Sequence, residues 1–255
     1  MLRHNTITFL FVIALAGFIL SGLSWWLCVL LLLIYLSVTA YGCFSIQSNY
    51  FLKSISSLRG NNNTIYLTFD DGPAPETLEV LKILAQWNAK ATFFCIGKEV
   101  ENHTEVLLKI HKEGHLIGSH TYSHIKTFPV FNQMKMNNDI AKAQIAIQKQ
   151  INLKPLLFRP PFGVTNPRIA ASVKVLGLNS IGWNKRSLDT VSKSRSYILD
   201  RVCKNLKAGD IILFHDNIIG TGEMLQEFFL RIKDKGFNYD RIDQNQDIQA
   251  YEKLT

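Results

Sequence analysis

Charge is what the first fifth of this chain lacks: residues 1–52 carry a single charged side chain, Arg3. That absence excludes an ordinary solvated surface, and apolar residues run almost unbroken from "TITFLFVIALAGFIL" to "SWWLCVLLLLIYLSVTAYGCF", which marks a membrane region. About 38 apolar residues would make one helix of roughly 57 Å, against a hydrocarbon core of about 30 Å. One straight span is therefore too long. Ser21, Gly22 and Ser24, followed by Trp25 and Trp26, point instead to two short spans joined by a tight turn at an interface. A cleaved signal peptide does not account for this length, since its apolar part stops after roughly 7–15 residues. The "AYGC" around Cys43 is a poor match to a lipid-acylation signal.

Other absences narrow the function. The four cysteines, Cys28, Cys43, Cys95 and Cys203, show no CxxC spacing, so neither a disulfide framework nor a cysteine zinc site is supported. No basic run interleaved with aromatics is present, which argues against nucleic acid as a partner. Nearly all of the +8 net charge lies beyond residue 52. It suits anionic surfaces such as lipid headgroups or acidic glycans, or simply a solvated face. Basic residues flank both ends of the apolar region, Arg3 before it and Lys53 and Arg59 after it. Read literally, that pattern places the soluble part in the cytoplasm.

What is present beyond residue 52 is an alternation of strand and helix patterns. "IYLTF" precedes a helical pattern over 76–87, "ATFFCI" a second that closes on Lys112 and Gly114, and "HLIGSH" a polar, helix-prone stretch over 133–150. "LLFRP" leads to a helix opened by Asn166 and Pro167, "NSIGW" to one over 196–207, "DIILFHD" to one over 222–235, and a last strand lies near "FNYDRI". About seven β/α units with short connections imply a parallel sheet, open or closed into a barrel. With no repeat or low-complexity segment, the chain divides into a membrane anchor over 1–52, a linker over 53–63 and one domain over 64–255.

In such folds chemistry collects at the carboxyl ends of the strands. Asp70 and Asp71 end the first strand, His120 follows "LIGS", Arg159 ends "LLFR" and His215 ends "IILFH". Four strands thus deliver acid, base or cation to one rim. In "SHTYSH", His120 and His124 stand four apart, which on a helical turn puts both imidazoles on one face. Joined to a carboxylate from a neighbouring strand, they make a two-histidine, one-carboxylate set suited to zinc or another divalent ion.

"TFDDGP", "HTYSH", "RPPFG" and "LFH", in this order and spacing, closely resemble the polysaccharide deacetylases of carbohydrate esterase family 4, the NodB-homology group. The resemblance spans residues 64–243 and implies a distorted (β/α) barrel of about seven parallel strands. It also implies metal-dependent removal of acetyl groups from a sugar polymer, usually from N-acetylglucosamine. Carried over by position, Asp71, His120 and His124 are expected as metal ligands, zinc first, with cobalt, manganese or nickel as alternatives. Asp70 is expected as general base oriented by Arg159, and His215 as general acid supported by Asp189. The Phe162 N–H is expected to stabilise the oxyanion, with Pro161, Trp183 and Thr190 around the substrate.

Three positions depart from the family pattern: Thr190 where a tryptophan often walls the acetyl pocket, Arg186 where many relatives have an acid, and Phe162 in place of a frequent tyrosine. They bear on the substrate more than on the chemistry. Trp183 reads first as core and second as sugar platform. Two other functions stay open: an O-acetyl esterase or a deformylase of a lipid-linked amino sugar, and a non-catalytic glycan-binding protein. The second should have lost site residues, and here all are present. A cell-wall glycan as substrate would place the domain outside the membrane, against the charge pattern.

Overall fold

The computed structural model describes residues 3–22, 24–58, 63–192, 194–244 and 248–252. Two apolar helices come first, α1 (His4–Leu20) and α2 (Trp25–Phe44), separated by the break expected at Ser21 and Gly22. At 20 residues, α2 is about 30 Å long and matches a hydrocarbon core. The 17-residue α1 is shorter.

The β/α alternation follows as β1 (Thr64–Asp70), α3 (Thr77–Gln86), β2 (Ala91–Cys95), α4 (Gly97–Asn102), α5 (Thr104–Lys112) and β3 (Leu116–Ser119). The chain continues through α6 (Gln133–Ile151), β4 (Leu157–Phe158), α7 (Pro167–Val175), β5 (Asn179–Ser180) and β6 (Lys185–Arg186). It ends with α8 (Arg195–Cys203), β7 (Ile211–His215), α9 (Thr221–Ile232) and β8 (Asn238–Tyr239). These strands pair parallel throughout, in the order β5-β4-β3-β2-β1-β7-β6 with β8 also on β1, which is the distorted (β/α) barrel. The sequence pattern misses β6, because a two-residue Lys–Arg strand carries no apolar alternation to reveal it.

Side-chain alternation explains both the core and the site. From β1, Ile65, Leu67 and Phe69 point outward into the cluster formed with α3, α5, α8 and α9. Tyr66, Thr68 and Asp70 therefore point into the barrel, where Tyr66 joins Phe94, Leu157, Ile181 and Trp183. On β7 the same rule sends Ile212 and Phe214 outward and Ile211, Leu213 and His215 inward. The register pairs Asp70 with His215, so two acid–base side chains leave adjacent strands on the same face.

The free edge of β5 is joined to the start of β7 from an unexpected source. Over 53–63, where a linker is expected, Ile55 N–H donates to Ser180 O at 2.9 Å, Gly182 N–H to Ile55 O at 2.8 Å and Leu58 N–H to Gly209 O at 2.9 Å. Ile46 is buried in the barrel core and Leu52 in the cluster with Phe128 and Phe158. The described part of this stretch, up to residue 58, is thus woven into the domain.

Candidate active site

The barrel end that collects the strands' carboxyl termini holds a cavity of about 170 Å³, lined by Asp70, Asp71, His120, His124, Phe162, Gly163, Trp183, Arg186, Thr190, Leu213 and His215. Residues distant in sequence build it. Asp70 ends β1 and is buried, and its Oδ1 accepts from Arg159 Nη1 at 2.7 Å. Arg159 directly follows β4 and has no exposure at all, so each guanidinium nitrogen needs a partner. Nη1 also donates to Thr68 Oγ1 at 2.8 Å, Nε to Ile181 O at 3.1 Å and Nη2 to Gly182 O at 2.8 Å, with the Phe94 ring 4.1 Å away. Thr68 can take part because it shares the inward face of β1 with Asp70. Burial raises the Asp70 pKa, and Arg159 together with His215 opposes the rise. The result is a base closer to neutrality than an ordinary aspartate.

Asp71 and the two histidines converge separately. His124 Nε2 lies 3.3 Å and His120 Nε2 3.5 Å from Asp71 Oδ1. His120 Nδ1 donates to Arg159 O at 2.7 Å, leaving Nε2 with its lone pair. Burial and the neighbouring His124 pull the His120 pKa down to about 3, so this ring is neutral, as a ligand must be. Asp71 Oδ1 is buried and has no hydrogen-bond partner among the described residues. A buried carboxylate oxygen is rarely left so. Two imidazole nitrogens and one carboxylate oxygen, with separations of 3.3 and 3.5 Å, fit donors about 2.0–2.1 Å from a shared tetrahedral ion. The residues present therefore fit a divalent metal.

The loop that carries these histidines is not the helical turn that four-residue spacing suggests. Thr121 and His124 take positive φ, +69° and +45°, and the segment runs as a succession of turns. Asp139, in the middle of α6, holds it: Oδ2 accepts from Tyr122 N at 3.1 Å and from Ser123 N at 3.4 Å. Left-handed backbone at non-glycine residues is costly and needs such support. Sequence reading missed Asp139, because nothing distinguishes it from the other polar residues on that helix.

Opposite, His215 ends β7. Its Nδ1 donates to Asp189 Oδ1 at 2.7 Å and its backbone N–H to Asp189 Oδ2 at 2.8 Å, so Nε2 faces the cavity free. Burial lowers the pKa, but the hydrogen bond and charge of Asp189, with Asp70 and Asp71 nearby, more than reverse this and push it up to about 9. The ring is charged at neutral pH. Asp216, also missed, lies just beyond. Thr77 Oγ1 donates to its Oδ2 at 2.6 Å and burial pushes its pKa up to about 7. Gly72 packs so closely that any Cβ there would overlap the Asp216 carboxyl, so Asp216 shapes the turn after Asp71.

The other expected positions divide. Phe162, at φ +61°, lines the cavity with its ring 5.0 Å from that of His124. Trp183 is both things the sequence allowed: buried in the core, with one surface forming the cavity wall. Thr190 and Arg186 line the cavity, whereas Pro161 is buried and does not.

Residues 58–181 match the family model described as polysaccharide deacetylase. Among curated proteins, a peptidoglycan-N-acetylglucosamine deacetylase of Bacillus cereus is 38% identical over 159 residues, covering 61% of this chain and 74% of the relative. The peptidoglycan-N-acetylmuramic acid deacetylase PdaC of Bacillus subtilis is 30% identical over 192 residues, covering 74% of this chain but only 40% of that longer protein. The solved structure of PdaC superposes with a TM-score of 0.68 at 28% identity, over 74% of this chain and 93% of the other.

Proposed function

The chain belongs to the polysaccharide deacetylase family, and from that premise we propose that it is a metal-dependent hydrolase removing N-acetyl groups from an N-acetylglucosamine-containing glycan, peptidoglycan or a chitin-like oligomer. One observation carries the reading: the cavity holds two adjacent aspartates with separate partners, Asp70 with Arg159 and Asp71 with two histidines, facing a charged histidine. The division resolves why two acids adjoin, since Arg159 compensates Asp70 and a bound cation would compensate Asp71.

In this reading Asp71, His120 and His124 hold the metal, zinc being the ion that suits their donor set best. When bound, the ion supplies Lewis acidity, polarising the acyl carbonyl and making water a stronger acid. Asp70 takes the proton of the attacking water, and Arg159 keeps it ionised and oriented. The Phe162 N–H donates to the oxygen that gains charge. His215, oriented by Asp189, protonates the departing amine. An amine leaves poorly without that proton, so a histidine held charged up to about pH 9 favours amide over ester cleavage. Trp183, Thr190 and Phe162 wall the space for the acyl group.

Residues 1–52 serve as membrane anchor and 64–255 as catalytic domain, facing out of the cytoplasm if cell-wall glycan is the substrate. The test is acetate release by the full-length protein in detergent from N-acetylglucosamine oligomers and from peptidoglycan, with zinc and with chelator. Chelator-sensitive release is expected. Release of an alcohol from O-acetylated glycan with no amine formed would replace the reading with esterase chemistry.

The His215–Asp189 pair yields a pH prediction. Activity that needs protonated His215 is present below its raised pKa and lost as pH climbs through about 9. Asp189→Asn removes the nearest charge that raises it and leaves only the more distant Asp70 and Asp71 to oppose burial, so the alkaline limb of kcat should move down by more than about one unit. An unmoved limb would mean another group sets it.

A further inference from the structure

The end of α2 is attached to the lip of the cavity. Thr165 N–H donates to Cys43 O at 2.8 Å, and Thr165 Oγ1 to Gly42 O at 3.2 Å. These are carbonyls of the last helical turn, which have no partner within the helix and need one from outside. Gly42 is buried against the Tyr50 ring, where a Cβ would overlap it, and Ile46 enters the barrel core that contains Trp183. The helix and the domain are therefore joined without slack. Gly163, which lines the cavity, stands two residues from Thr165, at most about 7 Å of extended chain.

The surface around this junction is apolar where water should face it. Tyr41 and Phe44 at the end of α2 are 67% and 75% exposed. Asn166 ties the same loop to its neighbour, donating to Pro129 O at 2.7 Å, and there Val130 and Met134 are 72% and 75% exposed. Ile125, next to His124, is exposed as well, beside the exposed Lys126. An α2 that fills the hydrocarbon core leaves its end at the headgroup layer, which is roughly 5–8 Å thick on each side. The cavity lip then lies within or just above that layer, with the exposed apolar side chains and Lys126 around it available to the headgroups.

We propose that this protein deacetylates a saccharide held at the bilayer surface by its own lipid, a lipid-linked N-acetylamino sugar, rather than glycan strands remote from the membrane. The inference rests on the deacetylase reading above and adds the substrate's class to it. A cavity fixed at headgroup depth by a junction without slack reaches sugars attached to lipid and does not reach outward.

The full-length protein is reconstituted into phosphatidylethanolamine–phosphatidylglycerol vesicles with zinc. Acetate release is measured from polyprenyl-diphosphate-linked N-acetylglucosamine in the same bilayer and from tetra-N-acetylchitotetraose in solution, at equal bulk concentration. Release from the lipid-linked sugar should be at least about tenfold faster. The double variant Val130→Asp, Met134→Asp lies outside the cavity lining at exposed positions. It should lower the lipid-linked rate about tenfold and keep the soluble rate within about twofold of wild type, which also reports that it folds. Acetate from the soluble oligomer at an equal or higher rate, or equal losses on both substrates in the variant, overturns the membrane-held substrate and leaves the deacetylase intact. Acetate from neither substrate overturns the membrane-held substrate; acetate from neither of these and none from peptidoglycan removes the deacetylase reading as well.

Discussion

Asp70→Asn is expected to lower kcat for deacetylation by about 10²- to 10⁴-fold, the range that one proton-transfer role contributes. Metal affinity, read by competition with a zinc indicator, should change little, because the proposed donors are those of Asp71, His120 and His124. The substitution isolates the charge. Asn keeps an oxygen for the bond that Arg159 Nη1 makes at 2.7 Å, and Arg159 retains its bonds to Thr68 Oγ1, Ile181 O and Gly182 O. A variant within tenfold of wild-type kcat would show that Asp70 is not the base. A variant that loses metal as well would show that the adjacent acids share one task.

The second large effect is on stability. Arg159→Met removes a fully buried cation that makes four hydrogen bonds and packs on Phe94, and it leaves Asp70 buried without its counter-charge. Breaking such a pair from one side costs about 3–5 kcal/mol, and for a domain of this size each kcal/mol lowers Tm by about 2–4 °C. A drop of roughly 10 °C in the thermal melt is expected, with loss of turnover because Asp70 is no longer held ionised. The double variant Arg159→Met, Asp70→Asn should be more stable than Arg159→Met alone, since no orphaned carboxylate remains. A melt within about 2 °C of wild type for Arg159→Met would mean that water or another group already solvates Asp70, and the cavity would then be wetter than its burial implies.

The two experiments bear on different parts of one arrangement. Asp70→Asn tests what the carboxylate does to substrate, and Arg159→Met tests what the fold does to hold it. The Asp189→Asn pH limb asks the corresponding question of the acid. Together they separate a catalytic loss from a structural one at a site where base, cation and acid all leave the ends of parallel strands.

How much of this was legible beforehand depends on distance along the chain. The continuous apolar runs of β1, β2 and β7, the breaks between elements and the residue types at the strand ends are local properties, and they sufficed to place Asp70, Asp71, Arg159 and His215 on one rim. The apolar first segment and its break at Ser21 and Gly22 were legible for the same reason, since length and hydropathy need no partner. Even where local pattern misled, as with the histidine pair, the two side chains still converge on Asp71 and only the backbone differed. Thr121 and His124 adopt left-handed conformations that Asp139 supports from another element.

Only the tertiary structure decided which groups meet across the chain. Arg159 reaches Thr68 and Asp70 some ninety positions away because alternation on β1 puts both on the inward face, and β4 lies on the far side of the barrel interior. Residues 53–58, a linker by composition, join β5 to the start of β7 because the backbone groups there need partners that a nearby segment can supply. Thr165 caps α2 for the same reason. Hydrophobic pattern sets which face of an element is buried, but it carries no information on which distant backbone donor or carboxylate lies opposite. That is set by closure of the sheet, and closure joined the cavity-lining loop at Gly163 to the end of the apolar helix α2.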